Sequence, residues 1–258
     1  MPTGWATSTM ARSRWETSCS GRVCRTATTT TRATGRGAPP QPNPNPSPIP
    51  NPDLHPVFYT PTRYAAAASG PKDVVLVIDT SGSMAGDNNA MAKQAAKMVI
   101  DTLTAVDYVT IVKYSSGAQA YSSTLVEATD ANKDLLKAWI DAEIGASGTT
   151  NFRAAFEKAW GVVDATTASS NCNRIMLFLS DGEPNEWDDS DTESVKAKAA
   201  SYSPPMHLLT YGLGESAKAD VLKAIACGGK GVYYSVTKDT ISNAMASYFQ
   251  VWIARLDR

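Results

Sequence analysis

Residues 73–83 read DVVLVIDTSGS, a run of five apolar residues, Val74–Ile78, closed by Asp79-Thr80-Ser81-Gly82-Ser83. A continuous β-branched run bounded by turn residues predicts a strand buried on both faces of a parallel sheet. Beyond it Met91, Ala95, Met98, Val99 and Leu103 recur at helical spacing over 88–103. Strand, tight polar turn and helix together make the opening of a βαβ unit.

The same alternation continues downstream. Residues 108–114 (YVTIVKY) predict a second strand, and 118–125 a short edge hairpin. Helical patterns follow at 132–144 and 152–164, then a buried strand at 174–180 (RIMLFLS). A short helix at 192–200, a strand at 206–211, a helix at 217–226, a strand at 231–235 and a terminal helix over 239–256 complete the pattern. Right-handed crossovers then give an α/β fold: a doubly wound, mostly parallel six-stranded sheet with helices on both faces. Ligands of such sheets bind at the carboxyl ends of the strands, where the strand order reverses.

Upstream, the chain changes character. Eleven of the fifteen prolines lie within residues 1–61, and residues 1–52 carry six arginines against one acid, Glu16. That stretch is therefore +5, and the remainder, with 18 bases and 24 acids, is -6, which recovers the net charge of -1. The tracts TATTTTRATG and APPQPNPNPSPIPNP predict a disordered, Pro/Thr-rich basic tail over 1–52, extended and semi-rigid in its second half. Residues 53–71 are a linker approaching the domain, and 72–258 form one domain, large enough for its own core.

Several functions are excluded by this distribution. The apolar runs at 74–78 and 175–179 have five residues each, against about 20 for a membrane span. The acidic body has no basic stripe, which argues against nucleic acid. No G-x-x-x-x-G-K-[ST] occurs, and His55 and His207 are the two histidines, both remote from the serines of the turn, so a hydrolytic triad has no base there. Recognition is expected rather than catalysis.

The chemistry gathers at the strand ends. Asp79, Ser81 and Ser83 alternate along one tight turn, where a carboxylate and two hydroxyls point at one spot and Gly82 lets the chain close. The strand at 174–180 ends likewise in Ser180-Asp181-Gly182, and Gly148-Thr149-Thr150-Asn151 opens a helix between them. An all-oxygen set with few formal charges suits Mg²⁺ or Ca²⁺ and, lacking Cys and His, suits zinc poorly. Asp87 and Asn88 read first as N-cap residues of the following helix, with a role in metal binding as the alternative.

KDVVLVIDTSGSM resembles the first strand and metal loop of von Willebrand factor type A domains, whose metal-ion-dependent adhesion site uses D-x-S-x-S, a distant Thr and a distant Asp. The likeness extends through DYVTIVKYSS, GTTNF, CNRIMLFLSDGEP and LKAIACGGKGVYY. With YTPTRY and SGPKDVV upstream, it is similar to the subgroup found in α2δ subunits of voltage-gated calcium channels and in Cache-domain relatives. The resemblance implies that Ser81 and Ser83 bind a Mg²⁺ (or Ca²⁺ or Mn²⁺) directly. It implies that Asp79 and Asp181 act through bound waters and that Thr150, with Thr149 beside it as the competing choice, completes the set. It further implies a protein partner presenting an Asp or Glu carboxylate, a monomeric domain or part of a larger chain, and a cell-surface location. The alternative is an intracellular scaffold or complex-assembly protein of the same fold. With no apolar signal stretch at its start, and an end directly after the last expected helix, the chain is expected to be a fragment of a longer one.

Two features have a bland reading as well. The six acids of residues 183–193 (EPNEWDDSDTE) hold a second cation, select basic partners or simply face solvent, and Trp187 among them is an interface anchor or packs beneath its loop. Cys172 and Cys227 form a disulfide or remain two buried thiols, while Cys19 and Cys24 lie in the tail.

Overall fold

A computed structural model of the protein describes residues 70–245, apart from Glu183, Ser216 and Asn243. The expected tail over 1–52, with Cys19 and Cys24, and most of the linker lie outside the described residues. So does the expected terminal helix beyond Met245, whose first turns carry the bonds Ile241 N–H to Thr237 O and Ala244 N–H to Thr240 O.

The first half of the chain runs β1 (Lys72–Asp79), α1 (Asp87–Thr102), β2 (Tyr108–Tyr114), β3 (Ala118–Ala120), β4 (Val126–Glu127), α2 (Asp130–Glu143) and α3 (Phe152–Ala165). The second half runs β5 (Asn173–Ser180), α4 (Asp189–Ser201), β6 (Met206–Leu213), α5 (Ala219–Gly228) and β7 (Tyr233–Val236). The sheet order is β3-β2-β1-β5-β6-β7, with β4 paired to β2 beside that path. Five strands of the path are those expected, but the edge hairpin expected over 118–125 does not form: β3 there and β4 after it each pair with β2 instead, making a seven-stranded sheet. The added two-residue strand arises because the chain returns along one edge, so that β3 pairs with Val112–Tyr114 and β4 with Tyr108 and Val109, both antiparallel. β1, β2, β5, β6 and β7 are mutually parallel.

All eight residues of β1 are buried, as the apolar run requires of a central strand. Val74, Leu76 and Ile78 enter a core with α1 and α2 residues such as Ala95, Val99, Leu136 and Ile140. Val75 and Val77 enter a second core on the other face, with Phe152, Phe156, Val195 and Leu222 of α3, α4 and α5. Each such side chain taken from water favours folding by about 1.5–3 kcal/mol, so the strand is held from both sides.

Helix boundaries move where caps decide them. α2 starts at Asp130 because the Thr129 hydroxyl accepts from Asn132 N–H. α4 is longer than expected because Asp188 and Asp191 form a reciprocal capping box. The expected caps of α1 are different: Gly86 occupies the N-cap with no side-chain bond, Asp87 pairs with Lys238 at 2.6 Å, and Asn88 points elsewhere.

No disulfide joins Cys172 to Cys227. Cys172 precedes β5 and Cys227 sits in α5 before β7, with β6 between those strands. Nor are they two buried thiols, since Cys172 is half-buried and Cys227 exposed.

Candidate metal centre

The strand order reverses beside β1, which has β2 on one side and β5 on the other, so the carboxyl ends of β1 and β5 flank the switch point. Asp79 and Asp181 come from those ends.

Asp79 is fully buried, and burial pushes its carboxyl above the usual range. Hydrogen bonds from the Ser180 hydroxyl and the Ser81 backbone act against that rise. Its Oδ1 accepts Ser81 N–H at 2.8 Å, and its Oδ2 accepts the Ser180 hydroxyl at 2.6 Å and the Tyr114 hydroxyl at 3.1 Å. Burial and the neighbouring Asp79 hold the Tyr114 phenol protonated, so it can only donate there.

From Asp79 the contacts run outward along the loop. Ser81 Oγ lies 3.1 Å from Ser83 Oγ, and the Ser83 hydroxyl donates to Asp181 Oδ1 at 2.9 Å. A serine has one hydroxyl proton. With Ser83's proton on Asp181, Ser81 is the donor in the contact between the serines. The Asn88 amide donates to Asp181 Oδ2 at 2.8 Å. Asp79, Ser81, Ser83 and Asp181 thus form one continuous hydrogen-bonded path.

The segment bearing the threonines is tied to the same loop. Gly82 N–H donates to Gly148 O at 3.0 Å, and Ser147 N–H donates to Thr80 O at 2.7 Å. A Cβ at Gly82 would meet only Gly148 O, at an ordinary 3.5 Å, so glycine is not sterically demanded there. The demand falls on Gly148, whose φ is +83° and whose Cβ would lie 2.7 Å from Ser116 Oγ.

Thr149 is turned to Ser116, donating through both N–H and hydroxyl at 3.0 Å. Thr150 is 7% exposed, donates its N–H to Asn185 Oδ1 at 2.6 Å and accepts Asn185 N–H at 2.9 Å on its carbonyl. Its hydroxyl takes no hydrogen bond among the described residues, and Thr150 lines a cavity of about 520 Å³ with Asn151, Arg153, Glu157, Asn185 and Glu186. The Asn151 side chain caps α3 by accepting Ala154 N–H.

The donor chemistry fits a hard divalent cation: neutral hydroxyls flanked by two carboxylates, all oxygen. Among the described residues no group of three or more His, Cys, Asp or Glu side chains is arranged to hold a metal ion. Tyr114, Ser180, Asn88 and Asn185 hydrogen-bond to these candidate residues, and of the four only Ser180 lies in a strand-end motif. Tyr114 and Ser180 reach them through strand order, Asn88 and Asn185 through loop contacts.

The acidic loop has structural work. Asp188 caps α4, and Arg153 grips Asp191 in a two-pronged contact at 2.8 and 2.7 Å. Trp187 packs on Phe152 and Phe156 with ring centroids 5.5 and 5.8 Å away, and its Nε1 donates to Thr192 Oγ1. It lies beneath its own loop.

Residues 73–246 match the model of the von Willebrand factor type A domain. Human voltage-dependent calcium channel subunit alpha-2/delta-2 is 31% identical over 189 residues, covering 71% of this chain and 16% of that protein. The chain thus spans under a fifth of the length of the curated relatives it matches. A von Willebrand factor type A structure from Catenulispora acidiphila superposes with a TM-score of 0.60 at 21% identity, covering 70% of this chain and 42% of that one. The proximal thread matrix protein 1 of the mussel byssus, with a zinc-occupied MIDAS motif, gives 0.56 at 18% identity over 70% and 46%. Together with the strand order and the D-x-S-x-S turn at its switch point, these matches show that the chain belongs to the von Willebrand factor type A domain family.

Proposed function

We propose that this domain holds a divalent cation, Mg²⁺ with Ca²⁺ or Mn²⁺ as substitutes, through Asp79, Ser81, Ser83, Thr150 and Asp181, and that it binds a partner protein's Asp or Glu carboxylate there. The observation that carries the reading is the direction of the hydrogen bonds. Ser83 gives its proton to Asp181, and Thr150, though buried, keeps a hydroxyl without a hydrogen bond among the described residues, so hydroxyl lone pairs remain for a cation. Asp79 and Asp181 supply negative charge from behind, and Asp79 is kept in place by three donors. When bound, the cation offers a Lewis-acidic position at which a carboxylate oxygen replaces water.

The activity is recognition rather than catalysis. His207 sits near the start of β6, at the opposite end of the sheet from Asp79, beside Lys230 O at 3.4 Å. The likeness to a calcium channel subunit supports, as part of this reading, a cell-surface location in a larger assembly. No helix among the described residues is long and apolar enough to cross a membrane.

Calorimetric titration of the full chain with Mg²⁺, Mn²⁺, Ca²⁺ and Zn²⁺ tests the reading; zinc is included because it occupies the motif of the mussel protein. Ser81→Ala with Ser83→Ala abolishes the heat of binding if these hydroxyls hold the ion. Unchanged affinity in that double variant rejects the site.

A further inference from the structure

We infer that Asn88 is a selectivity-determining residue of this centre, biasing it toward Mg²⁺ and against Ca²⁺ by withholding one oxygen of Asp181. The inference rests on the cation-site reading above.

Asn88 lies in the first turn of α1, outside the D-x-S-x-S turn, and is half-buried. A carboxylate only accepts hydrogen bonds, so the Asn88 amide must present its NH₂ to Asp181 Oδ2, at 2.8 Å. Its Oδ1 then faces Gly214, at the end of β6, whose φ is +88° and whose Cβ would stand 2.7 Å from that oxygen. The amide is thus backed by bare main chain on one side and held by the carboxylate on the other. Asp181 has Oδ2 on Asn88 and Oδ1 on Ser83, so a single oxygen is directed at the serine loop. Asp79 is likewise committed, with both oxygens engaged by Ser81, Ser180 and Tyr114.

The two ions ask for different things. Ca²⁺ takes six to eight oxygens and readily uses both oxygens of one carboxylate, whereas Mg²⁺ takes six and keeps its waters. A site whose carboxylates are each restrained from two-oxygen coordination favours the smaller ion. Releasing Asp181 Oδ2 removes that restraint.

Full-length wild type, Asn88→Leu and Asn88→Ala are titrated calorimetrically with Mg²⁺ and with Ca²⁺, after thermal melts establish folding. Leu keeps most of the volume and Ala does not, but both lack the donor, so either folded variant suffices. The Ca²⁺-to-Mg²⁺ affinity ratio should rise roughly tenfold, the scale of one hydrogen bond to a charged group. A purely structural role weakens both ions alike and leaves the ratio fixed, which overturns the inference while the cation site stands. Failure of wild type to bind either ion overturns both.

Discussion

Asp79 and Tyr114 are register partners across the β1–β2 pair, and the tyrosine hydroxyl donates to the buried carboxylate at 3.1 Å. The bond joins the strand that bears the serine turn to the strand before the Ser115–Ser116 loop. Tyr114 also packs against Phe152 and Phe178, so its ring is fixed by the core and only its hydroxyl serves the site. Tyr114→Phe removes one of three donors to Asp79 and keeps the packing. Urea unfolding should show a loss of about 1.5–3 kcal/mol, the worth of a hydrogen bond to a charged group. A loss under a few tenths would mean that Ser180 and Ser81 suffice.

At the opposite end of β1, Lys72 Nζ meets Asp107 Oδ2 at 3.1 Å, with side chains 2% and 0% exposed. Asp107 further accepts the N–H of Lys72 and the N–H and hydroxyl of Thr104. Asp107→Ala removes a buried carboxylate that pairs with a buried ammonium, which costs about 3–5 kcal/mol. The lesion lies at the amino end of the sheet, so cation affinity in folded protein should match wild type. Parallel denaturation and calorimetry separate the two effects.

The strands were legible because each central one is a continuous apolar run, and the turn at 79–83 because chain proximity puts its oxygens together. Asp181 was legible for the same reason, as the end of another such run. Tyr114 was not, since nothing local distinguishes it from core-edge residues, and although Ser180 stands in the strand-end turn, its bond and that of Tyr114 to Asp79 appear only once β2 and β5 flank β1. Asn88 had an ordinary alternative as a helix cap, which Gly86 in fact supplies. Between Thr149 and Thr150 the sequence draws no distinction; the Thr149 hydroxyl turned to Ser116, 33 residues upstream, is a long-range contact that supports Thr150.

Acid should loosen the α3–α4 face. The Tyr202 hydroxyl and then Lys198 hold Asp164 below the usual carboxylate range, Ser190 holds Asp188 there, and the Arg153 guanidinium does the same for Asp191. A carboxyl with a folded pKa below its unfolded 3.8 stabilises the fold above that pH. That contribution is lost as pH falls through the lower folded value. Urea midpoints followed from about pH 6 to about pH 2 should therefore drop mainly below the unfolded value. The drop should shrink in Arg153→Gln and in Tyr202→Phe; an unaltered profile in both would assign acid sensitivity to other groups.

Asn185 clamps Thr150 from both sides of its peptide unit, at 2.6 Å through the side chain and 2.9 Å through the backbone. Asn185→Ala removes the first bond, leaves the second, and frees the one threonine of the pair whose hydroxyl is unengaged. Mg²⁺ affinity should fall roughly tenfold, in keeping with one short hydrogen bond, with little change in melting temperature because Asn185 is exposed. Asn185→Asp restores the acceptor and also adds a negative charge near the site. Salt separates these contributions: at about 1 M the Debye length is roughly 3 Å, so the gain from charge is screened while the positional gain persists. Affinity of the Asp variant that stays above that of the Ala variant in high salt therefore supports the clamp. Collapse of the two to one value would show that Thr150 holds its place without Asn185.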